Sequence, residues 1–444
     1  MRILGIELRR TSAPVMGLVT VAVLLFMLDW GPAAKNSTAW TGQWSSLAEW
    51  SRFMLLLAWP LVIGGGALLG MRDRRSGVEE LFASTPRPRA QRVLRTLGAS
   101  AAALVAAYAV VVVVGAVRMR SDYFHWGWLP VVLVGVLSLV AASWVGVGLG
   151  RLAPWPLTPP VAAVATFALM ALAQSAEGGG YRFALLTPVV RSPDSVFEHV
   201  AGVVTTGQAV WFAGLALTGF LLVALRRWWP AALPALVAGA VAVPLMPATP
   251  AGALSPDPVA AELVCADGLC LTRAHEGERA ALAGPAREAL RQLAKLPSPP
   301  VEVREAAGAV LADERGPDAP EAVWVRLDEF TYFRASGEVA PEKVVEWLVA
   351  GAGTRSCVGE YVTEDITREV AFRTVAAAWV TGELRPLPVY RMWIGRETDA
   401  VAATAWEVLR ALPEAEQAAR VQAAREVQAA CSGDPLTALT GTPA

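Results

Sequence analysis

The stretch RDRRSGVEELFASTPRPRAQRVLRTL, residues 72–97, lies between two long apolar runs, and its reading decides the fold. It holds seven arginines (Arg72, Arg74, Arg75, Arg87, Arg89, Arg92, Arg95) and three carboxylates (Asp73, Glu79, Glu80). Polar sequence this dense cannot lie in hydrocarbon, so it is a loop in water between two membrane spans. Short loops rich in arginine stay in the cytoplasm, which fixes the side. The loop also has internal order. Gly77 stops one element, residues 78–82 (VEELF) read as a helical turn with an apolar side, and Pro86 and Pro88 break the chain before the next span. A plain connector needs no helix flanked by arginines. The pattern reads as a docking element for a cytoplasmic partner.

Outward from this loop, apolar runs at 14–28, 53–69, 98–117, 129–149, 156–173, 208–225 and 230–246 read as about seven transmembrane helices. Trp30, Trp40, Trp44 and Trp50, in the polar stretch after the first run, fit an interfacial belt. Gly64, Gly65 and Gly66 in the second run, and Gly146, Gly148 and Gly150 in the fourth, read as close helix packing. The latter set ends an apolar span and does not follow a soluble strand, so it is no nucleotide fingerprint. Residues 174–208 form the longest loop of this half, with amphipathic pieces at 183–190 and 196–204. These are too short to cross a bilayer, so they lie at the outer interface or re-enter part-way.

Counted from a cytoplasmic N-terminus, seven spans leave 13 basic residues in inner loops and six in outer loops, the bias that cytoplasmic loops carry. The odd count sends everything after residue 250 outside. Composition agrees. The chain has 444 residues, 55% hydrophobic and 17% charged, with mean hydropathy +0.44, which places it among membrane proteins of more than one domain. Its net charge of −1 hides an asymmetry: residues 1–249 carry 19 basic and 10 acidic side chains, residues 250–444 carry 19 and 29. All four cysteines, Cys265, Cys270, Cys357 and Cys431, fall in the second half. An even number confined to one region points to disulfides in an oxidising compartment. Pairing is not fixed by sequence; Cys265 with Cys270 across a short turn is the economical choice, leaving Cys357 with Cys431. Zinc is the rival reading, disfavoured because CxxC spacing is missing.

Residues 250–260 read as a linker, and residues 261–444 as a mixed α/β extracytoplasmic domain. Strands at 263–265 and 269–272 flank Asp267-Gly268, a hairpin cue. Further strands are expected at 301–303 and 322–327, and helices at 278–296, 341–350, 364–381, 398–412 and 413–430. Neither half shows a catalytic signature: GxxxxGK[ST], HExxH and GxSxG do not occur. His275 reads as a surface or satisfied histidine, and Glu276, Glu278, Glu364 and Asp365 as a solvated face. The span centres carry no ionisable residue, which argues against ion-coupled transport. Energy for any transport must then enter elsewhere, and the arginine-rich loop is the place to receive it.

The loop resembles the cytoplasmic coupling segment of ABC-2 type transporter permeases, in which a glycine, a Glu-Leu helix and a Ser/Thr-Pro-Arg turn lie between spans two and three. Here these are Gly77, Glu79-Glu80-Leu81 and Ser84-Thr85-Pro86-Arg87, with Arg92 and Arg95 before span three. The resemblance covers residues 1–228 and departs from the family in a seventh span and a large outer domain. It implies a transporter subunit with no catalytic site or cofactor of its own, since ATP is bound by a separate cytoplasmic ABC ATPase. It further implies a second permease (the same chain or another), contact with membrane lipids, no nucleic acid, and export of a lipid, peptide, glycan or drug. The ATPase-coupling loop would be Arg72, Asp73, Arg74, Arg75, Gly77, Glu79, Glu80, Leu81, Ser84, Thr85, Pro86, Arg87, Arg92 and Arg95. The alternative expectation is a non-transporting membrane anchor displaying an extracellular receptor or interaction domain.

Overall fold

Long stretches of Leu, Val and Ala without charge satisfy their backbone only by hydrogen-bonding to themselves, and they form helices here. The computed structural model describes residues 12–35, 40–41, 43–75, 89–119, 123–175, 180–190, 195–225, 227–307, 318–327, 341–357, 364–387 and 396–441. They form two units: residues up to 256, and residues from 257 onward together with Tyr123.

In the first unit the helices are α1 (Ala13–Asp29), α2 (Trp44–Phe53), α3 (Leu55–Arg75), α4 (Arg89–Val117), α5 (Trp128–Leu152), α6 (Thr158–Gln174), α7 (Gly202–Ala224) and α8 (Leu233–Leu245). Among the described residues four segments are long and apolar enough to cross a membrane: Leu55–Arg72, Val93–Val117, Trp128–Leu152 and Gly202–Ala224. Ala13–Asp29, Thr158–Gln174 and Trp229–Leu245 are shorter apolar helices. These features fit a membrane protein. Strands β1 (Glu198–Val200) and β2 (Leu254–Pro256) form a small antiparallel ladder, His199 opposite Ser255. Part of the stretch read as a linker is therefore a paired strand.

Helices α3 and α5 run parallel along a seam of glycines. A methyl group added at Gly66 would lie 2.4 Å from the Ser143 carbonyl oxygen, and one at Gly70 2.2 Å from that of Val147. From the other side, one at Gly146 would lie 2.3 Å from the Ile63 oxygen, and one at Gly150 2.1 Å from that of Ala67. Each helix presents a small-xxx-small pair, Gly66/Gly70 and Gly146/Gly150, and the backbones meet where any side chain would hold them apart. Gly219 approaches α5 beside Trp144 in the same manner, so α7 flanks the pair.

The second unit holds a four-stranded sheet in the order β3 (Leu263–Ala266), β4 (Leu269–Thr272), β5 (Glu302–Glu305), β6 (Ala322–Val325). β3 and β4 are antiparallel; β4, β5 and β6 are parallel. Asp267 (φ 52°) and Gly268 (φ 76°) both sit in the left-handed region, as a two-residue hairpin with the twist of its strands requires. α9 (Arg279–Leu293) provides the crossover from β4 to β5. The chain continues with α10 (Pro341–Leu348), α11 (Glu364–Thr381), α12 (Arg396–Arg410), α13 (Glu414–Ala430) and α14 (Pro435–Thr440). Leu269, Leu271, Val303, Val323 and Val325 of the sheet join Leu293, Phe372 and Val375 in one buried core. Two disulfides tie this unit together. Cys265 and Cys270 face each other across the hairpin, and Cys357 joins Cys431, 74 residues later.

Candidate functional site at one end of the helical bundle

The arginine-rich loop falls largely outside the described residues. Gly77, Glu79, Glu80, Leu81, Ser84, Thr85, Pro86 and Arg87 lie in the undescribed stretch 76–88. Its flanks are in place. Arg72 is exposed in the last turns of α3, where Asp73, Arg74 and Arg75 continue the helical backbone; Arg92 and Arg95 belong to the first turns of α4. Leu97 and Ser100 of α4 are held to α5 by Trp144 Nε1, donating to the Leu97 oxygen at 3.1 Å, and by the Ser143–Ser100 hydroxyl pair, also at 3.1 Å. The loop's two ends are thus anchored beside the same level of α5 where Gly66 and Gly146 meet.

The best-defined polar site lies at the opposite end of these helices. Its centre is Arg52, fully buried on α2 just before the apolar segment of α3 begins. Its Nε donates to the Pro188 oxygen (2.6 Å), Nη1 to the Val131 oxygen (3.1 Å) and Nη2 to Gln208 Oε1 (2.8 Å). Gln208, also fully buried, donates from Nε2 to the oxygens of Leu185 (2.9 Å) and Thr187 (3.1 Å). Trp211 Nε1 donates to the Leu186 oxygen at 2.9 Å, and Gln174 Nε2 to Thr187 Oγ1 at 2.8 Å.

Four successive carbonyls, from Leu185 to Pro188, therefore receive side-chain donors from α2 and α7. The reason is physical: this segment is not helical, and non-helical backbone inside an apolar bundle keeps its polar groups only if side chains supply partners. Burial lowers the Arg52 guanidinium to about 10, so it stays protonated at neutral pH. Beside the strapped segment lies a cavity of about 300 Å³, lined by Phe53, Leu185, Val189 and Val190 with Gln174 and Tyr181. Its walls are mostly apolar with a few polar groups.

Sequence reasoning missed this site. Arg52 reads there as one more outer-loop cation, and Gln208 as the first residue of a span. The helix begins six residues earlier, at Gly202, which carries Gln208 nearly two turns inside. A lone amide flush with an apolar run was the one signal available.

In the second unit His275 is buried, with Nδ1 2.5 Å from Glu305 Oε1, and Glu305 Oε2 accepts from the Thr272 backbone N–H at 2.7 Å. The histidine is satisfied rather than surface-exposed. Glu276 pairs with Arg279 at 2.6 Å, which holds its carboxyl below the ordinary range. Among the described residues no group of three His, Cys, Asp or Glu side chains gathers to hold a metal ion. No protein-family model, curated protein or solved structure matches the chain.

Proposed function

We propose that the chain is the membrane-spanning permease subunit of an ABC-type exporter. In this reading the four long apolar helices and the three shorter ones make seven spans, with the N-terminus cytoplasmic and residues 261–444 extracytoplasmic. A separate cytoplasmic ATPase docks on residues 72–97, and nucleotide-driven closure pushes that loop to move α3 and α4. A second permease completes the pore. The observation that carries the reading is the loop itself, arginine-rich with a Glu-Glu-Leu turn, set between two long apolar helices.

The packing supports it in two ways. α3 is locked to α5 along the glycine seam, so a push on the end of α3 is delivered to the bundle as a whole rather than absorbed locally. At the far end, the strapped segment and its apolar cavity offer an amphipathic or hydrophobic cargo a partly polar surface. The test is functional. An ABC ATPase captured with the chain from native membranes should hydrolyse ATP faster when reconstituted with it, and capture of none, or hydrolysis unchanged by the chain, would contradict the reading.

The second reading, a non-transporting anchor for a receptor module, draws on one observation: residues 257–444 form a unit with its own core and two disulfides. Biological function retained by that unit on a single unrelated span would favour it.

A further inference from the structure

Glu49 lies on α2, one turn before Arg52, and is 1% exposed. Neither carboxylate oxygen has a hydrogen-bond partner among the described residues. A buried carboxylate left unpaired costs several kcal/mol, so such a group takes up a proton or a cation.

Its place in the bundle is fixed by contacts on either side along the helix. Ser45 Oγ lies 3.1 Å from His125 Nε2, the rings of Trp44 and Trp128 stack at 5.3 Å, and Arg52 reaches the Val131 oxygen. α2 therefore runs parallel to the start of α5, with Glu49 level with that helix's first turn. On another side lies β1: the Val200 N–H is directed at the carboxyl and favours its charged form, while Glu198 is near enough to repel a negative charge.

The charged and titratable groups on the elements packed against α2 are few. Arg52 is committed to three oxygens and does not pair with Glu49. β1 brings Glu198 and His199, α4 brings Tyr108, bonded to Ser51 at 2.7 Å, and His125 precedes α5. Arg118, just past α4, pairs with Asp29; Arg72 of α3 and Arg151 of α5 sit at the other ends of their helices. Among the described residues no cation is placed to neutralise Glu49 and no metal-binding group gathers there, and the cavity near this end is lined by other residues. A proton is the occupant that needs no space.

We propose that Glu49 is a proton-binding site that latches the β1–β2 ladder to this end of the bundle. Protonated, it lets β1 lie against α2. When the proton leaves to water, a buried negative charge faces Glu198, and β1 with its partner β2 moves away from the carboxylate. Burial, aided by Glu198, already holds the Glu49 carboxyl well above the ordinary carboxylate range.

The test uses the full-length protein in lipid nanodiscs. Infrared spectroscopy should show a neutral-carboxyl C=O band that persists above the ordinary carboxylate range, titrates away at higher pH, and is missing in Glu49→Gln. Amide exchange of residues 198–200 and of Leu254 and Ser255 should speed up at least tenfold in the wild type relative to Glu49→Gln, compared at equal pH, as that band disappears. A missing band, or equal exchange in both proteins at every pH, overturns the proposal. Should Glu49→Gln fail to fold, Glu198→Gln removes the repelling neighbour and should move both the band's midpoint and the exchange transition to lower pH. Neither moving would overturn it equally. ATPase coupling through residues 72–97 does not enter this measurement, so its outcome is separate from that of the permease reading.

Discussion

Glu49 and Arg52 stand three residues apart on α2, both buried and oppositely charged by type, yet the structure does not pair them. The guanidinium turns instead to the oxygens of Pro188, Val131 and Gln208. Backbone that must cross an apolar interior without helical bonds therefore has first claim on the arginine, and the carboxyl is left to be neutralised by a proton. This arrangement accounts for why a helix as polar as WSSLAEWSRF is buried at all.

Removing Arg52 should unseat that segment. Arg52→Leu leaves the buried oxygens of Pro188 and Gln208 unpaired, each costing about 1–3 kcal/mol, so a loss of several kcal/mol is expected. Arg52→Lys keeps the charge but not the planar fork, and should fall between. Thermal unfolding in detergent, followed by size-exclusion, checks the order wild type, Lys, Leu.

The glycine seam predicts a contrast between substitutions of one kind. Gly146→Ala and Gly150→Ala place a methyl 2.3 and 2.1 Å from facing carbonyl oxygens and should force α3 and α5 apart, lowering stability and folded yield. Gly98→Ala, where nothing lies within 4 Å, should be neutral or stabilising by up to about 1 kcal/mol, the ordinary helix-propensity gain. Equal effects at all three positions would show that the close approach is absent.

For the disulfides the loop lengths decide. Cys357–Cys431 spans 74 residues and should contribute about 4–5 kcal/mol in the chain-entropy model, against about 2 kcal/mol for Cys265–Cys270, separated by 5. Chemical denaturation of the two double-alanine variants measures the difference. In the proposed orientation, a membrane-impermeant thiol reagent should label intact cells only after reduction.

Glu49 also sets a pH dependence. Its folded carboxyl stays protonated where the unfolded chain has already lost the proton, so stability is highest below the ordinary carboxylate range. Stability then falls as pH rises toward the raised folded value and levels off beyond it. Glu49→Gln should flatten this slope. Unfolding midpoints between pH 4 and pH 8 for both proteins check it.

Much of the helical half is legible because charge-free runs in Leu, Val and Ala have few alternatives to a helix. The hairpin at Asp267-Gly268 is legible for a local reason too, since few residues accept its backbone angles. Burial of Glu49 and Arg52 is not legible. Their helix has the composition of a surface loop, and only packing of the 185–188 backbone, 136 residues away for the Arg52–Pro188 bond, makes the interior worth entering. His275 is intermediate: a satisfied histidine is foreseeable, but its partner Glu305, on a strand 30 residues on, is not. The arginine-rich loop is read from sequence only as a motif, since most of its named residues lie outside the described ones.

Residues 72–97 are proposed as the docking element for a cytoplasmic ATPase. Charge reversal at Glu79, Glu80 and Arg87 together, followed by affinity purification from membranes with the ATPase co-expressed, tests it most directly. The variant should insert and fold normally but recover at most about a tenth of the ATPase carried by the wild type, a loss of about 1.4 kcal/mol or more in association. Recovery of the ATPase at the wild-type level by a normally inserted triple variant would contradict it.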